Sequence, residues 1–260
     1  MGHELETGAP LRLITLSFSH YCEKARWALD RANLVYREES HVPFVSWAAT
    51  FGAGGGRTVP VLVAPDGVVA DSTDILRWVD AHSHAPRLFP DGDEGREAAR
   101  WEDDFDRHLG PATRRMAYFQ LLGRPALGRA LLESAGGRWQ RRLTRVAYPL
   151  FARMIEQGLR ITPESVRRSA AVVADSFARV AAALADGRPY LAGDRFTAAD
   201  LAFAALAVPV IAPDSFAQRY LPDVGQVPAE MLEMVERHRA TPAGAFALRL
   251  YADERQRRMC

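Results

Sequence analysis

Apolar and polar positions along the chain follow two different rhythms. Leu11 to Leu16 is apolar and rich enough in β-formers to predict a buried strand, which Ser17-Phe18-Ser19-His20 interrupts. Tyr21 to Ala32 then places Ala25, Ala28 and Leu29 on one face, the spacing of a helix, and Asn33 suits its stop. Val35 to Glu39 predicts a second strand at a sheet edge, and Val45 to Phe51 a short helix leading into a flexible Gly52–Gly56 connection. Pro60–Val63 and Gly67–Ala70 read as a hairpin around Ala64-Pro65-Asp66-Gly67, closed by a helix from Asp71 to His82. The order β-α-β-α-β-β-α implies a mixed sheet covered by helices. After a Pro/Gly/Asp-rich stretch, His84–Gly95, every periodic segment is helical: Arg96–Leu109, a broken Pro111–Leu122, Ala126–Gly136, Gln140–Gln157, Pro163–Ala185 and Thr197–Val208. The pattern thus divides into a tail (1–10), an α/β unit (11–83), a linker (84–95) and an all-helical domain (96–260), with no elements assigned beyond Ala212.

Composition narrows the partners more than the fold. The 260 residues are 48% hydrophobic and 25% charged, with a formal net charge of +1, which gives no electrostatic reason to expect nucleic acid or a membrane surface. Two cysteines, Cys22 and Cys260, do not make a disulfide framework, so a reducing, cytoplasmic setting is expected. The first ten residues lack the basic and apolar regions of a secretory signal, and no run reaches the ~18 apolar residues of a membrane span. The scattered histidines have no metal-ligand spacing, and Gly54-Gly55-Gly56 lacks the Lys-Ser/Thr of a phosphate loop. No metal is expected.

Pro60 is the most informative single position. A proline against a short apolar strand cannot donate to the ladder and suits a cis X-Pro turn. Such a turn would leave the Val59 backbone free to pair with an extended peptide. Eleven residues on, Asp71 and Ser72 open a helix, where unpaired N–H groups suit a carboxylate.

These residues, with Ser19-His20-Tyr21-Cys22-Glu23-Lys24-Ala25-Arg26-Trp27 before them and Tyr190-Leu191-Ala192-Gly193-Asp194-Arg195-Phe196-Thr197-Ala198-Ala199-Asp200-Leu201 after, resemble the glutathione transferase family. The resemblance implies a thioredoxin-like domain followed by an all-helical one, glutathione as co-substrate, a small electrophile as second substrate, a homodimer and a role in detoxification. It places Ser19 where serine-type classes keep their thiolate-stabilising hydroxyl, and assigns Tyr21, Thr58, Val59, Pro60, Asp71 and Ser72 to glutathione, with Arg57 beside them. Thr197–Asp200 matches a capping segment with no chemistry.

Each assignment has a plainer counterpart. Ser19 and Asp71 are also good helix caps. Cys22, in Ser-x-x-Cys, sits at the resolving position of a redox pair whose first cysteine is a serine here, so dithiol exchange is disfavoured and an inward, apolar role is expected. His20 departs from a frequent proline and is expected to be solvated, with an ionisation near neutral pH. Lys24 and Arg26 are expected to be solvated or structurally bonded. For the electrophile pocket, Trp101, Phe105, His108, Arg115, Met116, Tyr118 and Phe119 are available, with His108, Met116 and Tyr118 preferred, and Arg114-Arg115 hints at an anion. A non-enzymatic binding or scaffold protein and a glutathione-dependent thiol-disulfide reductase remain as alternatives.

Overall fold

The computed structural model describes residues 11–223 and 227–255; the expected tail and Cys260 lie outside them. Strands β1 (Leu11–Thr15), β2 (Tyr36–Ser40), β3 (Val61–Ala64) and β4 (Gly67–Val69) form one sheet in the order β2-β1-β3-β4. β1 runs parallel to β2 (Leu13 opposite Glu38) and antiparallel to β3 (Leu13 opposite Leu62). Helices α1 (His20–Arg31), α2 (Val45–Gly52) and α3 (Ser72–His82) complete the thioredoxin-like unit in the order that the periodicity predicts. Leu13, Leu62, Ile75 and Leu76 carry no exposed surface, so β1, β3 and α3 share one core.

The helical part comprises α4 (Asp93–Asp104), a π turn (Phe105–Leu109), α5 (Gly110–Leu122), α6 (Pro125–Ser134), α7 (Arg138–Gly158), α8 (Pro163–Ala183), α9 (Ala198–Ile211), α10 (Asp214–Tyr220), α11 (Ala229–Arg239) and α12 (Pro242–Asp253). α4 begins at Asp93, inside the expected linker, after Gly92 at φ +85°. α9 is buried along nearly its whole length and packs against α1, so one continuous apolar core joins the two parts. The capping box expected at its start is present, with Asp200 accepting from Thr197 N at 2.8 Å. Burial raises the Asp200 carboxyl to about 6, against the pull of its hydrogen bonds.

The break expected near Pro111 is a π turn that keeps the helix continuous. Gly110 N–H bonds back to Phe105 O, and the next residue, Pro111, has no N–H to give. The Asp106 carbonyl is therefore left without a helical donor, and Tyr21 Oη supplies one from α1 at 2.9 Å. Gly110 makes this possible, since a Cβ there would lie 2.4 Å from Tyr21 Oη.

Of the two roles expected for Lys24 and Arg26, the structure shows the bonded one. Both are fully buried, and charges on neighbouring elements are the reason. Lys24 Nζ pairs with Glu102 and, at 2.7 Å, with Asp106, and it donates to Thr73 Oγ1 at 3.0 Å. Arg26 pairs with Glu23 at 3.0 Å and Glu38 at 2.8 Å, while Arg255 closes on Glu23 at 2.7 Å. No single described helix is long and apolar enough to cross a membrane, and among the described residues no His/Cys/Asp/Glu cluster could hold a metal ion.

Candidate active site

Ser19 ends the β1–α1 connection in extended backbone (φ −74°, ψ 125°) and caps α1, its Oγ accepting from Cys22 N at 3.4 Å. Such a cap leaves the other first-turn N–H groups of α1 without helical acceptors, and the positive end of the helix dipole lies there. Cys22 points inward. It is fully buried, its Sγ accepts from Leu16 N at 3.5 Å, and burial pushes the thiol up to about 11. A thiol so placed is neither accessible nor ionised at neutral pH.

His20 is buried rather than solvated. Its Nε2 lies 3.0 Å from the Gly110 carbonyl, which only accepts, so Nε2 carries the proton. Burial and then the Arg114 charge lower its ionisation to about 3, which removes the neutral-pH titration expected from the sequence. Tyr21 spends its hydroxyl on Asp106, and burial raises the phenol's ionisation, with Asp106 and Asp71 adding to the effect.

The Val59–Pro60 bond is cis. Among the described residues, neither the N–H nor the C=O of Val59 makes a hydrogen bond, although β3 starts only two residues later. Asp71 is exposed and caps α3, accepting from Thr73 N at 2.8 Å. Ser72 is buried in its backbone setting, and its hydroxyl pairs with no described group. Thr73 ties this helix start to the buried Lys24 cluster by donating to Glu102 at 2.6 Å.

A cavity of about 970 Å³ opens between the two parts of the molecule and reaches Ser19, His20, Tyr21, Thr58 and Val59. Pro60, Asp71 and Ser72 lie outside its lining. The opposite wall is mostly apolar: Tyr118 and Leu121 of α5, Leu127 of α6, Ile155 of α7, and Met231 and Leu232 of α11. Of the three preferred pocket residues, only Tyr118 faces this space. His108 is exposed and bonds to Asp104 at 3.1 Å, and Met116 is packed into the main core. Phe105 is fully buried, Phe119 is exposed, and Arg115 is held by Leu159 O at 3.0 Å and Ser169 Oγ at 2.7 Å.

Two parts of this wall are not among the residues expected to line the pocket. The α6–α7 hairpin docks on the first domain, where Ser40 Oγ donates to Ala135 O at 2.8 Å and Gln140 Oε1 accepts from Val42 N at 2.8 Å. The Phe44 and Phe151 rings meet across that seam at 5.1 Å. The second part is α10–α11, where Met231, Leu232, Met234 and Val235 have the helical spacing that could have revealed it.

Comparison with known proteins agrees with this architecture. Models of the glutathione S-transferase N-terminal and C-terminal domains match residues 13–87 and 163–220, together about half of the chain. The α6–α7 hairpin falls between the two matches. A Ceriporiopsis subvermispora glutathione S-transferase solved in complex with glutathione superimposes with a TM-score of 0.62 at 17% identity, covering 97% of this chain and 99% of that one. A Methylobacterium radiotolerans glutathione S-transferase in complex with glutathione sulfonate gives 0.51 at 22% identity over 92% and 95%. A Marinobacter aquaeolei protein with a glutathione S-transferase domain gives 0.55 at 20% identity over 90% and 99%. No curated protein matches the chain. At these identities the superpositions show a common fold, and with both domain models matched in order, the chain belongs to the glutathione transferase family.

Proposed function

We propose that this protein activates the thiol of glutathione for attack on a small electrophile. The observation that carries the reading is Ser19, a hydroxyl at the start of α1 opening on a large, mostly apolar cavity. A thiolate there would accept from the Ser19 hydroxyl and lie at the positive end of α1, which lowers its pKa from ~8.5. Val59 has a free backbone donor and acceptor for the middle of the tripeptide. Ser72 and the first N–H groups of α3 suit the γ-glutamyl carboxylate, and Asp71 suits its ammonium group. Thr58 and Arg57 border the same loop and suit the glycyl end.

In the chemical step the thiol proton leaves to solvent and the sulfur lone pair forms a bond to the electrophilic carbon. The displaced electron pair departs with a leaving group or moves onto an activated double bond. Burial of Cys22 speaks against the reductase alternative, because the exchange would need an accessible thiolate. A homodimer and a detoxifying role belong to this reading through the family, and the mass in solution tests the first.

Calorimetric titration with glutathione and conjugation kinetics test the assignment together. Ser72→Ala is expected to weaken glutathione binding, whereas Ser19→Ala lowers turnover about tenfold with little change in affinity, the scale of one charge-assisted hydrogen bond. No binding at millimolar glutathione would overturn the proposal. Intact turnover in Ser19→Ala, with turnover abolished in Cys22→Ala, would return the reductase.

A further inference from the structure

Two cations in the cavity wall are left unused by the thiol chemistry, and one of them, Arg239, is already paired with Asp214, which leaves Arg114. It lies one turn before Tyr118 on α5, and both side chains line the cavity. Its neighbour Arg115 is fully engaged by Leu159 O and Ser169 Oγ. Arg114 is not. Its Nε is shut off from solvent with no acceptor, and among the described residues no carboxylate forms an ion pair with it. The guanidinium stands 5.6 Å over the Tyr21 ring, which stacks against it without neutralising it. The rest of the guanidinium is open to the cavity, where an anion would give it a charge-assisted partner.

Two neighbours decide which donors stand beside it. The Tyr118 hydroxyl bonds to no described group and remains protonated, since burial pushes it up to about 12, so it is a second donor beside the guanidinium. His20 gives its Nε2 proton to Gly110 O, so that proton is not offered to a ligand. Beyond this pair the cavity continues as apolar surface from Leu121, Leu127, Ile155 and Met231.

We propose that Arg114 and Tyr118 form an anion-binding subsite in the electrophile cavity. The second substrate is accordingly an amphipathic anion, with an apolar body against the helical wall and a carboxylate- or sulfonate-type group on the Arg114–Tyr118 pair. This deepens the transferase reading and rests on it for the word substrate, but the binding itself does not require glutathione.

Two fluorescent probes with the same aromatic skeleton test it: 8-anilinonaphthalene-1-sulfonate, which is anionic, and neutral N-phenyl-1-naphthylamine. The wild-type protein should prefer the sulfonate. Arg114→Met should weaken sulfonate binding about tenfold or more, Tyr118→Phe several-fold, and Arg114→Lys less than Arg114→Met, as expected for charge-assisted donors. The neutral probe should bind all variants alike. Equal weakening of both probes, an unchanged sulfonate affinity in Arg114→Met, or a wild-type preference for the neutral probe would overturn the subsite. Should Arg114→Met fail to fold, Tyr118→Phe and the wild-type preference still decide. Glutathione titrated in parallel separates the two proposals: absent glutathione binding with the sulfonate preference intact removes the transferase reading alone. A loss confined to glutathione in Arg114→Met would instead assign the guanidinium to the thiol and remove the subsite.

Discussion

The two walls of the cavity are built by different means. On the side of the first domain, Ser19 at the start of α1 and the backbone of Val59 reach the cavity, while the start of α3, with its own hydroxyl and amides, lies outside the lining. They are fixed from behind by buried polar contacts: Lys24 with Glu102, Asp106 and Thr73, Tyr21 with Asp106 O, and His20 with Gly110 O. On the other side the wall is side chain, from α5, the α6–α7 hairpin and α10–α11; the hairpin rests on a small satellite core around Leu132, Tyr148 and Phe151, while Phe216 and Met234 tie α10–α11 to the main core. The two walls therefore differ in how freely they can vary. Backbone at a helix end recognises one constant ligand almost regardless of side chains, whereas an apolar wall changes its preference with each substitution.

The largest expected break of this contrast is Lys24→Met. It leaves Glu102 buried without its cation and should cost about 3–5 kcal/mol, read as a lower urea midpoint, with glutathione affinity falling as the start of α3 loosens. Gly110→Ala acts at the seam between the walls. Its Cβ forces Tyr21 off the Asp106 carbonyl, and about 1–3 kcal/mol of stability should be lost in the same measurement.

His20 gives a pH-dependent test of the fixed wall. Its folded-state ionisation, about 3, lies below its ordinary 6.5, so between these values the unfolded chain binds a proton that the folded one refuses. Its contribution is unchanged above 6.5 and is lost progressively as pH falls toward 3. A His20→Asn variant should therefore show a flatter acid limb in urea titrations across that window, and near neutral pH the wild-type rate should show no inflection from His20. The smallest effect belongs to the variable wall. Leu127→Ala, half-buried on α6, should leave stability within about 1 kcal/mol and the KM for glutathione unchanged, while raising the KM for an apolar electrophile a few-fold.

What the sequence disclosed follows the same division. The strands, α1, α3 and the cis Val59–Pro60 turn are legible because each rests on local signals: alternation, a cap, a proline. His20 misled, and Lys24 and Arg26 stayed open between a solvated and a bonded role, because their burial is decided by Gly110, Glu102 and Glu38, which are distant in sequence. His108 and Met116 fell off the cavity for a related reason. The π turn at Phe105–Leu109 changes which face of the long helix meets the first domain, and no periodicity announces it. Arg114 and Arg115 are indistinguishable as letters, and only the fold turns one onto Ser169 and the other toward the cavity.

If Ser19 and the start of α1 hold a glutathione thiolate, as proposed, the ultraviolet absorbance of that thiolate, titrated with pH on the bound protein, reads the effect. The bound thiol should titrate at least about one pH unit below the ~8.5 of a free thiol, and Ser19→Ala should move it back by about one unit, equivalent to ~1.4 kcal/mol. A bound thiol that titrates like the free one in the wild-type protein, or a lowered value that Ser19→Ala leaves untouched, would contradict the proposal.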